Sequence, residues 1–206
     1  MSSSTADTKE QIITVAERLF AELGFAGTTL RNVVSEAGVN LAAVNYHFGS
    51  KEELFRAVVS RFARPVIERE LRLLSELQAG PKLPSVEDIL TVVLKPSLEI
   101  LTQDQDAHLM QAQFMGRCRM EPKPIQRIAN EEFAVVTEAC LDLLQRVLPD
   151  QSRSQLYWKL DLVIASLIRV LTEAGQPYSL LKSNRPEDIQ ATTQQLVQFL
   201  SPAMRS

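Results

Sequence analysis

The stretch Gly38–Leu54, GVNLAAVNYHFGSKEEL, limits the fold more than any other part of the chain. Gly38 and Gly49 leave room between them for about two turns of helix, from about Leu41 to Phe48. A helix that short is marginal in water, so its neighbours must hold it. Its side chains, Leu41, Ala42, Asn45, Tyr46 and His47 among them, mix small, polar and aromatic-polar types and are too poor in apolar residues to form core. Such a helix is kept for what its outer face touches. Gly49 closes it, and Ser50 with Glu53 forms a capping box for the next.

The chain before it completes the pattern. Residues 8–23 place Ile12, Ala16, Leu19, Phe20 and Leu23 on one face of a helix, with Asp7 or Thr8 as its cap and Gly24 as its end. Thr28 or Thr29 caps a second helix with Leu30, Val33, Val34 and Ala37 inward, which Gly38 ends. Two short helices across a tight glycine turn read as a helix-turn-helix. The second of them is then the one that lies in a DNA major groove.

A long helix follows, from about Lys51 to Leu77, with Leu54, Val58, Phe62 and Ile67 near one face. Pro65 inside it should kink or split it, either as a tolerated bend or as a joint. The linker GPKLP covers 80–84, and Ser85 with Asp88 opens a helix to about Leu101, interrupted by Pro96. Further helices are expected over 105–117, with Leu109, Met110 and Phe114 inward, and over 125–148, 152–174 and 184–200. Ser152 with Gln155 and Asn184 with Glu187 supply the last two caps. The fold class is therefore all-α, with about nine helices: a three-helix domain over 8–54 and a larger helical domain over 55–206.

Composition narrows the function. The 206 residues hold 22 basic and 25 acidic side chains, so a general nucleic-acid coat protein is disfavoured. Residues 1–64 are balanced as well, and a DNA reading rests on motif geometry instead of bulk charge. No run of eighteen apolar residues is present, and the start, MSSSTADTKEQ, reads as a disordered tail without the apolar centre of a signal peptide. The expected location is cytoplasmic, with Cys118 and Cys140 as free thiols. With no Gly-rich phosphate loop, no metal-ligand spacing and no nucleophile beside either histidine, His47 or His108, no enzyme activity, metal or cofactor is expected.

The run AERLFAELGFAGTTLRNVVSEAGVNLAAVNYHFGSKEELF resembles the DNA-binding domain of TetR-family transcriptional repressors. It shares an apolar first helix, Gly-Phe, a Thr-Thr cap, Ala-Gly-Val, a Tyr-His-Phe block and Ser-Lys. Its LAAVNYHFGSKEEL portion looks most like the branch of PsrA-type regulators of fatty-acid metabolism. The resemblance implies an all-helical homodimer on a palindromic double-stranded operator. It also implies a C-terminal domain that encloses a small effector and dimerises, with DNA released on ligand binding.

On that resemblance Leu41, Ala42, Ala43 and Asn45 face base edges. Asn45 suits adenine and the alanines a thymine methyl; the alternative for Asn45 is a merely exposed position. Tyr46 and His47 match phosphate contacts, although the imidazole beside Phe48 could instead pack locally. Lys51, in the first turn of its helix, reads as a phosphate contact. Thr28, Thr29, Arg31 and Asn40 complete the expected DNA set. The expected effector set is Leu98, Met110, Phe114, Arg117, Val136, Trp158 and Leu162, with Arg117 and Arg119 suited to a carboxylate or phosphate. The effector expected is a fatty acid or acyl thioester. An aromatic or drug-like compound, or a regulator without ligand, is the alternative.

Overall fold

A computed structural model of the chain describes residues 5–99, 114–118 and 121–206. The described residues form eight helices and a ninth helical segment at 114–118, with no strand among them. In order these are α1 (Thr5–Gly27), α2 (Leu30–Glu36), α3 (Leu41–Phe48), α4 (Lys51–Ala79), α5 (Val86–Glu99), α6 (Lys123–Val147), α7 (Arg153–Thr172) and α8 (Pro186–Arg205). The expected all-α class holds. Leu101, His108, Leu109, Met110 and Arg119, and most of the helix expected over 105–117, lie outside the described residues.

Two compact units emerge, and their division differs from 8–54 and 55–206. The first takes in described residues 5–63, 114–118 and 121–132; the second takes in 64–99 and 133–206.

In the first unit, α1 starts at Thr5, so the segment expected as a tail is helical from there. At Gly24 the backbone leaves helical geometry, with φ 72° and ψ 177°, a region open to glycine because it lacks Cβ. The core joins Ile12, Ala16, Leu19 and Phe20 of α1 to Val33, Val44, Leu54, Phe55 and Val58, and also to Phe114, Ile125 and Ile128. Its aromatic centre is tight: Phe20 meets Phe55 edge-on at 5.0 Å between ring centroids, and Phe114 lies 5.5 Å from Phe55 and 5.3 Å from Phe62. Edge-to-face rings at this spacing add to area burial.

In the second unit, α5 packs on α7 and α8. Eight of its side chains are buried, Pro96 and Leu98 included. Both proline-bearing helices run on: α4 continues through the exposed Pro65, and α5 through Pro96. The Ser85–Asp88 cap is made in both directions, with Ser85 N donating to Asp88 Oδ2 at 2.9 Å and Asp88 N to Ser85 Oγ at 3.1 Å. The Ser152–Gln155 box is complete too. The N-cap position of the last helix is Arg185, one residue after the expected Asn184. α8 opens at Pro186, whose fixed φ and missing N–H suit a first helical position.

Candidate nucleic-acid interface

α3 is set by caps at both ends. Asn40 Oδ1 accepts from Ala43 N at 2.8 Å, and Gly49, at φ 77°, sends its N–H to Asn45 O at 3.0 Å. Gly38, at φ 61°, makes the turn from α2. Val44 points inward and is 1% exposed, whereas Leu41, Ala42, Asn45 and Tyr46 face solvent, Tyr46 at 80%. Ala43 and His47 are half-buried, and the His47 ring stands 5.1 Å from Tyr46 and 6.0 Å from Phe48. Of the expected base-reading residues, Leu41, Ala42 and Asn45 face outward together, whereas Ala43 packs against the first unit's core. Thr29 caps α2 by accepting from Asn32 N at 3.2 Å. Arg31, in the first turn of α2, is exposed, with no ion pair among the described residues.

Two members of the expected DNA set are turned inward. Thr28 is fully buried; its hydroxyl donates to Leu19 O at 3.0 Å and Gly24 O at 2.8 Å, and its N–H is taken by Gly24 O. It offers a phosphate no free donor. Lys51 Nζ donates to Phe25 O at 2.8 Å and Thr28 O at 2.9 Å, and lies 4.1 Å from the centroid of the Phe25 ring. Two of its three N–H donors are used on the end of α1 and the turn after it, with a cation–π contact added. Both placements have one cause. The turn between α1 and α2 exposes main-chain carbonyls, and nearby polar side chains satisfy them before any ligand can.

The residues expected to hold the effector are divided between the two units, and Met110 lies outside the described residues. Phe114 is 1% exposed in the core of the first unit. Arg117 Nη1 donates to Ala21 O at 3.0 Å and Glu22 O at 2.8 Å, again in the first unit. Trp158 and Leu162 are about half exposed, at 51% and 55%, on the outer face of α7, where they line an open groove with Phe199 of α8. Leu98 and Val136 are buried in the second unit's core. Helical periodicity placed these residues on apolar stripes but could not say which stripe was inward.

Sequence reading missed Glu70. It stands at the place of an apolar residue between buried Val66 and Leu74, and burial pushes its carboxyl well above the ordinary range. The four-residue spacing of 66, 70 and 74 was the available signal. Cys140 and Cys118 are both buried and free of disulfides. Burial, with a nearby carboxyl of Glu70 or Glu121 respectively, pushes each thiol up, so little thiolate forms for redox chemistry. No group of three metal-ligating side chains occurs among the described residues, and none of the described helices is long and apolar enough to cross a membrane.

Comparison with known proteins gives the same picture from outside. Residues 12–58 match the family described as bacterial regulatory proteins, tetR family, and residues 91–202 match the tetracyclin repressor-like C-terminal domain. The HTH-type transcriptional dual regulator CecR of Shigella flexneri is 30% identical over 131 residues, covering 60% of this chain and 56% of that protein. In such matches the chain spans a little over half of the curated relative's length. Among solved structures, the fatty acid degradation regulator FadR from Bacillus halodurans superposes with a TM-score of 0.67 at 15% identity, over 100% of this chain and 98% of that one. NalD of Pseudomonas aeruginosa, secondary repressor of the MexAB-OprM multidrug efflux pump, gives 0.67 at 21%, over 96% of each. At these identities the two superpositions show a shared fold, and all three proteins are named as regulators or repressors, none as an enzyme. With the second family match alone covering more than half of its length, the chain belongs to the TetR family of bacterial regulatory proteins.

Proposed function

We propose that the protein is a transcriptional repressor that binds a palindromic operator as a homodimer and is released by a small hydrophobic effector. The observation that carries this reading is the outward strip of α3, with Leu41, Ala42, Asn45 and Tyr46 in solvent on a helix capped at both ends. Side chains of this size reach base edges in a major groove, where an asparagine can pair with adenine in two hydrogen bonds. Arg31 is the strongest phosphate contact in this reading, since its guanidinium is exposed and carries no ion pair among the described residues. Tyr46 and the half-buried His47 flank the strip, with Asn40 and Thr29 at the helix starts.

The second unit serves dimerisation and effector binding. Its α7–α8 face leaves Trp158, Leu162 and Phe199 51%, 55% and 77% exposed. An apolar patch of that kind marks an interaction site, and a second copy fits a two-fold operator.

A fatty acid or acyl thioester is the first effector candidate, supported by the recognition-helix resemblance and by the name of FadR. An aromatic or drug-like compound is the second, supported by the name of NalD as repressor of a multidrug efflux pump.

The test is selection of duplexes from a random pool. Wild-type protein should enrich a two-fold symmetric site, with half-sites about 34–36 Å or a multiple apart. Asn45→Ala should relax the same position in both half-sites by about 1–3 kcal/mol. Failure of the wild type to enrich any duplex sinks the reading.

A further inference from the structure

An α-helix ends with carbonyls that have no partner within it. In α1 the break at Gly24 leaves such groups just before it, and the Phe25 N–H just after it. Both are met by side chains from nearly a hundred residues away in sequence. Arg117 Nη1 donates to Ala21 O at 3.0 Å and Glu22 O at 2.8 Å, while Phe25 N donates to Glu121 Oε1 at 2.8 Å. The charges have the favourable signs: a cation stands at the negative end of the helix dipole, and a carboxylate takes the orphan N–H.

Arg117 and Glu121 are four residues apart, joined by Glu121 N donating to Arg117 O at 3.1 Å, so they project from one turn. That turn is anchored by Phe114 and Cys118, each 1% exposed in the first unit's core. The approach is close as well. A Cβ at Gly24 would stand 3.0 Å from Glu121 Oε1, so a side chain there would push the carboxylate away. Lys51 holds the same turn through Phe25 O and Thr28 O. The chain from Ala21 to Thr28 is therefore held by three side chains, those of Lys51, Arg117 and Glu121, just before α2 begins at Leu30.

We propose that Arg117 and Glu121 are positioning residues for operator binding. They cap α1 in trans and set the turn from which α2 and α3 are aimed, without touching DNA. The helix-turn-helix sequence is in this view incomplete as a reading head until Arg117 and Glu121 are seated on it. This rests on the operator-binding reading above, and the experiment separates the two.

The probe is a duplex selected by the wild-type protein from a random pool, and binding is measured across a salt series well below the melting transition. Arg117→Ala and Glu121→Ala, each confirmed fully folded by circular dichroism at the binding temperature, should bind at least about tenfold more weakly, the scale of a lost charge-assisted hydrogen bond. Their salt slopes should match wild type. Glu121→Gln keeps an oxygen for the Phe25 N–H and should bind close to wild type, a rescue that a purely electrostatic role of the carboxylate would not give. Wild-type affinity in both alanine variants overturns the proposal. So does a loss that appears only where the folded fraction has also fallen. A slope lowered by about one in Arg117→Ala also overturns it, because that marks a direct phosphate contact. If the wild type selects no duplex, the operator-binding reading fails before this question is reached.

Discussion

In the first unit the buried hydroxyl of Thr28 donates to two carbonyls, Leu19 O and Gly24 O, and the half-buried Lys51 ammonium to two more. In the second unit Glu70 is 4% exposed, and no hydrogen bond to its carboxyl is found among the described residues. Lys159, buried in the same unit, is partnered by Gln151 Oε1 at 2.7 Å and Met204 O at 3.3 Å. The contrast shows what each unit demands of polar side chains. Around the α1–α2 turn they replace missing helix partners and so define the geometry of the motif. In the second core, Glu70 is tolerated at an apolar position, held neutral by its surroundings.

The contrast breaks most visibly at Glu70. Its native carboxyl holds a proton above the ordinary value of 4.5, where the unfolded chain has already released it. The native state then binds more protons, so stability is fully present below 4.5 and is lost as pH rises through the native-state value. Glu70→Met is similar in shape and apolar. It should stabilise the second unit at neutral pH, because it removes the desolvation by burial that holds the carboxyl above its ordinary range. The gain should grow with pH. Thermal melts from pH 4 to 9 read it, and a variant less stable than wild type at every pH would show that the carboxyl has a partner.

That residue also marks how far the sequence can be read. The helix-turn-helix was legible because glycine, capping residues and apolar spacing all act locally: Gly24, Gly38, Gly49 and Thr29 stand where their chemistry required. Thr28, Lys51 and Arg117 were assigned to ligands because a polar residue beside a turn looks outward in one dimension. Their partners are carbonyls brought close only by folding, 96 residues away in the case of Arg117 and Ala21. Trp158 and Leu162 were assigned to the effector because an apolar stripe carries no mark for core, pocket or interface. α7 in fact has both kinds, with Leu160, Val163 and Leu167 buried and Trp158 and Leu162 exposed.

Thr28→Val sharpens the first half of the contrast. The two side chains are nearly equal in volume, but valine cannot donate to Leu19 O and Gly24 O. The first unit should lose about 1–1.5 kcal/mol, the usual net worth of such a bond, while the salt slope of DNA binding stays that of wild type. Denaturant titration gives the first quantity. A lowered slope would return Thr28 to the DNA surface.

The smallest effect separates two cations that sequence reading treated alike. Arg31 is exposed without an ion pair among the described residues, whereas Lys51 is bound to Phe25 O and Thr28 O above the Phe25 ring. Arg31→Ala should weaken binding to every duplex alike and lower the slope of log affinity against log salt by about one, as loss of one phosphate contact does. Lys51→Met keeps the stem over the ring and removes the ammonium. It should leave that slope unchanged and lower the first unit's stability by up to about 1 kcal/mol, because its two hydrogen bonds are partly open to water. The pair of slopes decides the matter. If Lys51→Met lowers the slope and Arg31→Ala does not, the ammonium reaches a phosphate while it holds the turn, and the inward assignment of Lys51 must give way to a dual one.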